Sequence, residues 1–280
     1  MYIPNKDIYF AGGAYGMIYH LGIINKLKLN TNIKVYGISS GALVGMLYLL
    51  QYPKKKQIKL YNYLSDNSND KIKENPLNLE SYDITPNNFY ALKKIIDDYP
   101  DAYKILTDKL YIGITTIDEN NKTYFVWKHT FDSNLDLCNA LLCGFHIPFL
   151  CNYDSKINNN LAIDGMYGFN ENIYLSKDIL KFGITSHCKE NYCITGNIPL
   201  EHCIFPIPKN YREKYFTKGV NDITNYITKN QKVVSKHYFE LNDRIIPIPL
   251  FVLLRKLQKE NKKYNIKTLQ KYLDNTNGIV

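Results

Sequence analysis

The stretch Val35-Tyr36-Gly37-Ile38-Ser39-Ser40-Gly41-Ala42-Leu43 decides the fold, because an apolar strand enters a tight turn here and leaves it as an apolar helix. The turn carries a G-x-S-x-G pattern, and a serine on such a turn projects its hydroxyl above the end of a sheet. The glycines Gly37 and Gly41 allow the backbone to approach without Cβ clashes. We therefore predict a nucleophile elbow with Ser39 as the nucleophile. The alternatives are Ser40, which lacks a glycine two residues away on both sides, and a Gly/Ser turn without chemistry.

The elements around this turn predict an α/β protein. An apolar strand at 7–10 precedes the glycine-rich run 11–16, and apolar residues at helical spacing continue over 17–27. This order of strand, helix, strand, turn and helix implies parallel strands with crossover helices, hence a three-layer α/β/α sandwich with a mostly parallel central sheet. Further strands are predicted at 110–115, 123–127, 161–163, 180–184 and 203–205. Further helices are predicted at 135–144, 211–237 and 249–273.

Composition places the chain among ordinary folded proteins. Its 280 residues are 45% hydrophobic and 22% charged, which excludes wholesale disorder and collagen-like or low-complexity classes. Because neither a linker nor a repeat divides the chain, we predict one domain over residues 1–280. Its motif-bearing core spans about 7–226 and a C-terminal helical extension spans about 227–280. The polar region 53–101 has broken helical patterning and is predicted to form surface helices and loops beside a site.

The net charge favours anionic partners. The chain has 35 Lys+Arg against 26 Asp+Glu, a formal charge of +9, which suits a phospholipid surface or nucleic acid. The 25 tyrosines, with abundant Asn, Ile and Lys, indicate an AT-rich genome such as that of a large DNA virus, and this bias itself raises the lysine content. Because no nucleic-acid-binding motif accompanies the lysines, nucleic acid is not a predicted partner. The apolar run 245–254 and the lysines after it form either a packed helix or an element that attracts anionic lipid.

The cysteines and the N-terminus predict an intracellular protein with reduced thiols, in the cytoplasm or peripheral to membranes. Six cysteines are too few for a disulfide scaffold in a chain of this length, and residues 1–7 lack the pattern of a signal peptide. The uncharged run 35–52 contains three glycines and two serines, so a buried strand–turn–helix explains it better than a membrane span. The spacing of His187, Cys188, Cys193, His202 and Cys203 matches no usual zinc pattern, and we predict neither a metal nor a cofactor.

Two further segments supply what a serine nucleophile needs. The run 11–16 has the wrong glycine spacing for a dinucleotide cradle, but the backbone N–H groups of Gly12 and Gly13 would serve as an oxyanion hole. The alternative is a glycine-rich turn with packing duties only. Asp164 follows a short apolar strand and precedes Gly165, which places a candidate base at a strand end. An Asp-Gly pair is also a common hairpin turn.

Together these pieces resemble the patatin-like phospholipases. That family has a loop close to G-G-G-x-R/K-G, then G-x-S-x-G, then a D-G-G or D-G-A motif far downstream. Residues 10–22 resemble the first motif, 35–43 the second, and 147–165 an I-P-x-x-F segment that leads into the third. Residues 215–222 resemble the Gly-plus-Asp start of a late family helix. The order and spacing agree over about 7–226, so the combination is far more specific than any one motif.

The resemblance implies a lipid acyl hydrolase of the phospholipase A type with a Ser–Asp dyad and no cofactor. Asp164 would accept the Ser39 proton, the glycine loop would stabilise the oxyanion, and water would release the fatty acid from an acyl-enzyme. The implied partners are phospholipid or another acyl lipid and a peripheral membrane surface. Two alternatives stay open: a weak or inactive membrane-surface relative, and a Ser-Asp-His esterase of the α/β-hydrolase type. The histidines in the chain order for that triad are His187, His202 and His237.

Three residues depart from the family pattern. Ala11 replaces the first glycine of the loop, Tyr15 stands where many members have Arg or Lys, and Met166 replaces the small third residue of the D-G-G motif. A shift of the alignment by one residue puts Ala14 at the third glycine. The predicted oxyanion donors are therefore Gly12, Gly13 and Ala14.

Overall fold

The computed structural model describes residues 6–28, 32–148, 150–170, 174–176, 178–184, 193–229 and 264–274. These residues form a mixed α/β structure with nine α-helices and an eight-stranded, mostly parallel sheet. This architecture is consistent with a three-layer α/β/α fold, so the predicted fold class is confirmed. Within the described part of the chain, no helix combines the length and apolar character needed to cross a membrane.

The strands alternate with helices in the first half of the chain. The strands are β1 Ile8–Phe10, β2 Val35–Ile38, β3 Leu110–Ile117, β4 Thr123–Lys128, β5 Lys156–Ile157, β6 Asn160–Asp164, β7 Leu180–Gly183 and β8 Ile194–Thr195. The strands β3, β2, β1, β7 and β8 lie side by side and pair in parallel. The strands β4 and β6 pair with β3 in antiparallel fashion, and β5 pairs with β6.

The helices connect these strands and pack against the sheet. They are α1 Met17–Ile24, α2 Ser40–Leu49, α3 Lys54–Glu74, α4 Thr85–Asp98, α5 Ala102–Leu106, α6 Asn134–Gly144, α7 Leu200–Ile204, α8 Lys209–Lys229 and α9 Ile266–Asp274. Short 3-10 helices lie at Ala14–Gly16, Leu79–Tyr82 and Gly165–Tyr167.

The core divides along the sheet because successive strand residues point to opposite faces. On one face, Phe10 and Val35 pack with the apolar side chains of the helices. On the other face, Tyr9 and Ile38 form a smaller cluster with side chains of the segment between β6 and β7. That cluster is rich in aromatic rings; it also includes Phe125, Trp127, Phe169 and Tyr174.

Two glycines allow α1 and α8 to cross closely. A Cβ atom on Gly22 would lie 2.1 Å from the Phe216 carbonyl oxygen, and one on Gly219 would lie 2.1 Å from the Tyr19 carbonyl oxygen. The Tyr19 hydroxyl also donates a hydrogen bond to Asp222 at 2.8 Å. The sequence resemblance suggested that Gly219 and Asp222 begin a helix. They lie instead in the interior of α8, where they hold it against α1.

One sequence prediction of secondary structure is wrong. Residues 203–205 were expected to form a strand, but the helix α7 ends at Ile204. Three consecutive apolar residues suit either element, and here only Cys203 is buried, against the turn at Gly16. The region 53–101 was expected to form surface helices and loops, and it forms α3, a 3-10 helix and α4 with loops between them.

The two helices predicted near the C-terminus lie only partly within the described residues. The helix predicted at 211–237 is α8, which begins at Lys209 and ends at Lys229, and residues 230–237 lie outside the described residues. The helix predicted at 249–273 begins at Ile266 in the described part, because Tyr264 forms a β-bridge with Tyr153. Residues 249–263, with most of the basic stretch, lie outside the described residues.

Candidate active site

Ser39 occupies a strained turn between β2 and α2. Its φ is 52° and its ψ is −134°, a conformation that a residue with a Cβ atom rarely adopts. A Cβ atom on Gly37 would lie 2.4 Å from the Ala42 Cα, and one on Gly41 would lie 2.2 Å from the Phe10 carbonyl oxygen. Both glycines are therefore required by close backbone contacts. They hold the turn on which Ser39 lies. Ser39 is only 6% exposed.

The pairing register brings Ser39 and Asp164 together. Ile38, the last residue of β2, pairs with Gly113 of β3, and Asp164, the last residue of β6, pairs with Ile114. Because β4 occupies the opposite edge of β3 at both positions, β2 and β6 share one edge. They run in opposite directions along it, so their carboxyl ends meet. The serine after β2 thus faces the carboxyl that ends β6.

The Asp164 carboxyl is fully buried. Burial raises its pKa from 3.8 to about 7, although hydrogen bonds from the Met166 N–H and the Ser39 hydroxyl lower it. The Met166 N–H donates to Oδ1 at 3.0 Å, whereas Oδ2 has no partner with ordinary hydrogen-bond geometry among the described residues. Ser39 therefore influences the pKa of the carboxyl, although these two residues form no hydrogen bond of ordinary geometry; such bonds often tighten only when substrate binds. A carboxyl that ionises near neutral pH suits a general base.

The two residues after Asp164, Gly165 and Met166, differ in the space that surrounds them. A Cβ atom on Gly165 would lie 2.4 Å from the Gly113 carbonyl oxygen, so this position requires glycine. Met166, the departure from the small third residue of the family motif, is 48% exposed. Its side chain therefore has room without filling the space around the carboxyl.

The glycine-rich loop lies directly against the nucleophile. A Cβ atom on Gly12 would lie 3.0 Å from the Ser39 Cβ. Among the described residues, no hydrogen bond is donated by the backbone N–H groups of Gly12, Gly13 or Ala14. Donors that are left unengaged beside a serine are what an oxyanion hole requires. The structure thus brings Gly12 against Ser39 and places Ala14 in the wall of the same pocket, with Gly13 between them in the chain.

Both flanks of this loop are held by hydrogen bonds. The Ala11 N–H donates to the Phe182 carbonyl at 3.0 Å, and the Gly16 N–H donates to the Gly13 carbonyl at 2.7 Å. Between these anchors, Ala14 has a φ of 38°, in the left-handed region where glycine is preferred. The alignment that puts Ala14 at a family glycine position agrees with this conformation.

An apolar pocket of about 80 Å³ opens beside Ser39. Most of its wall is apolar and includes Met17, Leu43, Tyr61, Leu64, Ile84 and Phe145. The prediction that region 53–101 borders a site fits this arrangement, because α3 and the start of α4 supply part of the wall. Tyr61 and Leu64 had no motif to reveal them, since they are ordinary apolar positions of a polar helix.

Among the described histidines, His202 contacts a tyrosine rather than Ser39. The His202 Nδ1 is 2.6 Å from the Tyr215 hydroxyl, within a cluster of rings on α7 and α8. His187, Cys188 and His237 lie outside the described residues. Within the described ranges, no group of three His, Cys, Asp or Glu side chains is arranged to hold a metal ion.

No protein-family model, curated protein or solved structure matches this chain. The functional argument therefore rests on the geometry of the site and on the motifs in the sequence.

Proposed function

We propose that this protein is a serine hydrolase that cleaves fatty-acyl esters of lipids, with Ser39 and Asp164 as its catalytic dyad. The observation that carries the proposal is the end-to-end meeting of β2 and β6 along β3. It sets a strained serine against a buried carboxyl, and the unengaged N–H groups of the glycine-rich loop lie beside them. The motif resemblance to patatin-like phospholipases supports the same assignment.

In the proposed reaction, ionised Asp164 accepts the proton of the Ser39 hydroxyl as Oγ attacks the acyl carbonyl carbon. The N–H groups of Gly12, Gly13 and Ala14 stabilise the negative oxygen of the tetrahedral intermediate. The C–O bond to the alcohol breaks, and the alcohol takes the proton back from Asp164. Water then attacks the acyl-enzyme while Asp164 accepts its proton. The fatty acid leaves and the proton returns to the Ser39 oxygen.

The pocket supports an acyl lipid as the substrate. Its apolar wall offers an acyl chain an environment worth about 0.8 kcal/mol for each buried methylene. A phospholipid in a membrane surface is the proposed source of that chain, and the net charge of +9 suits an anionic surface. The dyad and the backbone donors suffice for the reaction without a cofactor.

The test is fatty-acid release from phospholipid vesicles, measured by mass spectrometry with purified protein. Wild-type protein should release fatty acid, and Ser39→Ala should lower the rate by about 10³-fold or more. The matched control is Ser133→Ala, which removes the N-cap of α6 at the end of that helix remote from the pocket. It should cost about 1 kcal/mol of stability without lowering the rate. If wild-type protein hydrolyses no acyl lipid, or Ser39→Ala keeps the activity, the proposal is wrong.

A further inference from the structure

The glycine-rich loop 11–16, called the oxyanion loop below, is held by a third hydrogen bond, from a residue that lies in none of the sequence motifs. The Tyr61 hydroxyl, in the middle of α3, donates a hydrogen bond to the Tyr15 carbonyl at 2.9 Å. Tyr61 is 1% exposed, and burial raises its pKa above the ordinary value, so the hydroxyl stays protonated and remains a donor. The bond joins residues 46 positions apart. It therefore ties the loop to a separate part of the fold.

The Tyr15 side chain strengthens the same link. A hydrogen bond with Ser68 acts on its hydroxyl, although burial outweighs it and raises the Tyr15 pKa to about 12. The Ser68 hydroxyl accepts in turn from the Asn87 amide of α4 at 2.7 Å. Tyr15, which stands where many family members have Arg or Lys, is thus bonded to α3 through both its carbonyl and its hydroxyl.

The helix that carries Tyr61 is itself fixed at two positions shortly after that residue. The buried Arg212 guanidinium of α8 donates to Asn62 at 3.2 Å and to Asp66 at 2.8 Å. Tyr61 therefore projects from a segment of α3 that cannot shift without breaking charge-assisted hydrogen bonds. A rigid support of this kind is what a precisely oriented loop requires.

The loop needs such support because its conformation is strained. Ala14, directly before Tyr15, has a φ of 38°, and a left-handed residue with a Cβ atom persists only where its surroundings hold it. If Ala14 left this conformation, the peptide units on both sides of it would rotate, and the Ala14 N–H would change its direction relative to Ser39. The Tyr61 bond opposes that rotation at the neighbouring carbonyl.

We propose that Tyr61 is a positioning residue that holds the oxyanion loop in its working geometry. The inference rests on the proposed function. Loss of the hydroxyl should weaken stabilisation of the transition state, so it should lower kcat and leave KM nearly unchanged. It should also slow the reaction of Ser39 with a fluorophosphonate, because the phosphoryl oxygen uses the same donors.

The test compares Tyr61→Phe with Tyr48→Phe, using hydrolysis kinetics and the rate of fluorophosphonate labelling. Tyr48 is the matched control, because its buried ring also donates to a backbone carbonyl, that of Lys28 at 3.0 Å, at the opposite end of α2 from Ser39. We expect Tyr61→Phe to lower kcat and the labelling rate by roughly tenfold to a hundredfold, and Tyr48→Phe to change neither. Ser68→Ala, which removes the second bond to Tyr15, should lower both in the same sense and tests the idea even if Tyr61→Phe does not fold.

The result that overturns the inference is equal kcat in Tyr61→Phe and Tyr48→Phe, or a raised KM with unchanged kcat. The second outcome would make Tyr61 a wall residue of the pocket only. The proposed function is judged separately: if wild-type protein is active and Ser39→Ala is not, a normal Tyr61→Phe refutes the positioning role alone.

Discussion

Replacement of Asp164 by asparagine should stabilise the protein at alkaline pH while it abolishes activity. The change keeps the size of the side chain and an acceptor for the Met166 N–H, but removes the charge. Burial raises the pKa of this carboxyl from 3.8 to about 7, so the folded protein holds a proton that the unfolded chain has released between those values. The stability that the neutral acid contributes is fully present below pH 3.8 and is lost as the pH rises through about 7.

The magnitude follows from the same two values. A difference between 3.8 and about 7 corresponds to about 4 kcal/mol of free energy of unfolding, lost by the wild-type protein on the alkaline side. Asparagine is neutral at every pH, so the variant does not lose this free energy of unfolding as the pH rises. About 1 kcal/mol of this is already lost at pH 4.5, so, relative to wild type, Asp164→Asn should be more stable at pH 8.5 than at pH 4.5 by about 3 kcal/mol. On the proposed function, the buried Asp164 carboxylate thus lowers stability in exchange for its role as a base.

The assay is urea-induced unfolding at a series of pH values, followed by the fluorescence of Trp127, the one tryptophan of the sequence. Asp178→Asn is the control, because it removes an exposed carboxylate and should shift stability little at any pH. If the difference between Asp164→Asn and wild type is the same at both ends of the pH range, the carboxyl is not held in a desolvated site. The account of Asp164 as a base tuned by burial would then be wrong.

Three further predictions concern the pH profile, the helix crossing and the histidine. The kcat/KM of the wild-type protein should rise with pH through about 7, because Asp164 must be ionised to accept a proton; a flat profile from pH 5.5 to 8.5 would contradict this. Gly219→Ala should lower the free energy of unfolding by about 3 kcal/mol, because its Cβ would lie 2.1 Å from the Tyr19 carbonyl oxygen; a urea midpoint equal to that of wild type would refute the close crossing. His202→Ala should keep fatty-acid release within about twofold, because its ring contacts Tyr215; a hundredfold loss would favour a Ser-Asp-His triad instead.

The sequence predicts the parts of the fold that have strong local signals. The strands at 8–10 and 35–38 and the elbow between β2 and α2 follow from apolar runs and glycine spacing. The short helix at Leu200–Ile204 and the two-residue strand at Ile194–Thr195 do not, because elements of this length take their conformation from their neighbours. The long polar helix α3 was predicted only as part of a region of surface helices and loops, without bounds, because its buried positions are few and widely spaced.

The residues of the candidate site also fall into two groups, those with a local sequence signal and those without one. Ser39, Asp164 and the loop glycines could be predicted because each lies in a motif whose residue types have a chemical reason. The meeting of β2 and β6 could not be predicted, because it depends on which residues of β3 each strand pairs with. Tyr61 carries no sequence signal at all, since a tyrosine in a polar helix looks the same whether its hydroxyl meets solvent or a loop carbonyl.

The most direct test of the central claim is the site of covalent modification by a fluorophosphonate. The serine oxygen displaces fluoride from phosphorus and its proton passes to Asp164, so the reaction reports the nucleophile and the base together. Intact-protein mass and peptide mapping should show a single adduct on Ser39, absent from Ser39→Ala and formed much more slowly by Asp164→Asn. An adduct on Ser40, or an active protein that forms no adduct, would contradict the dyad.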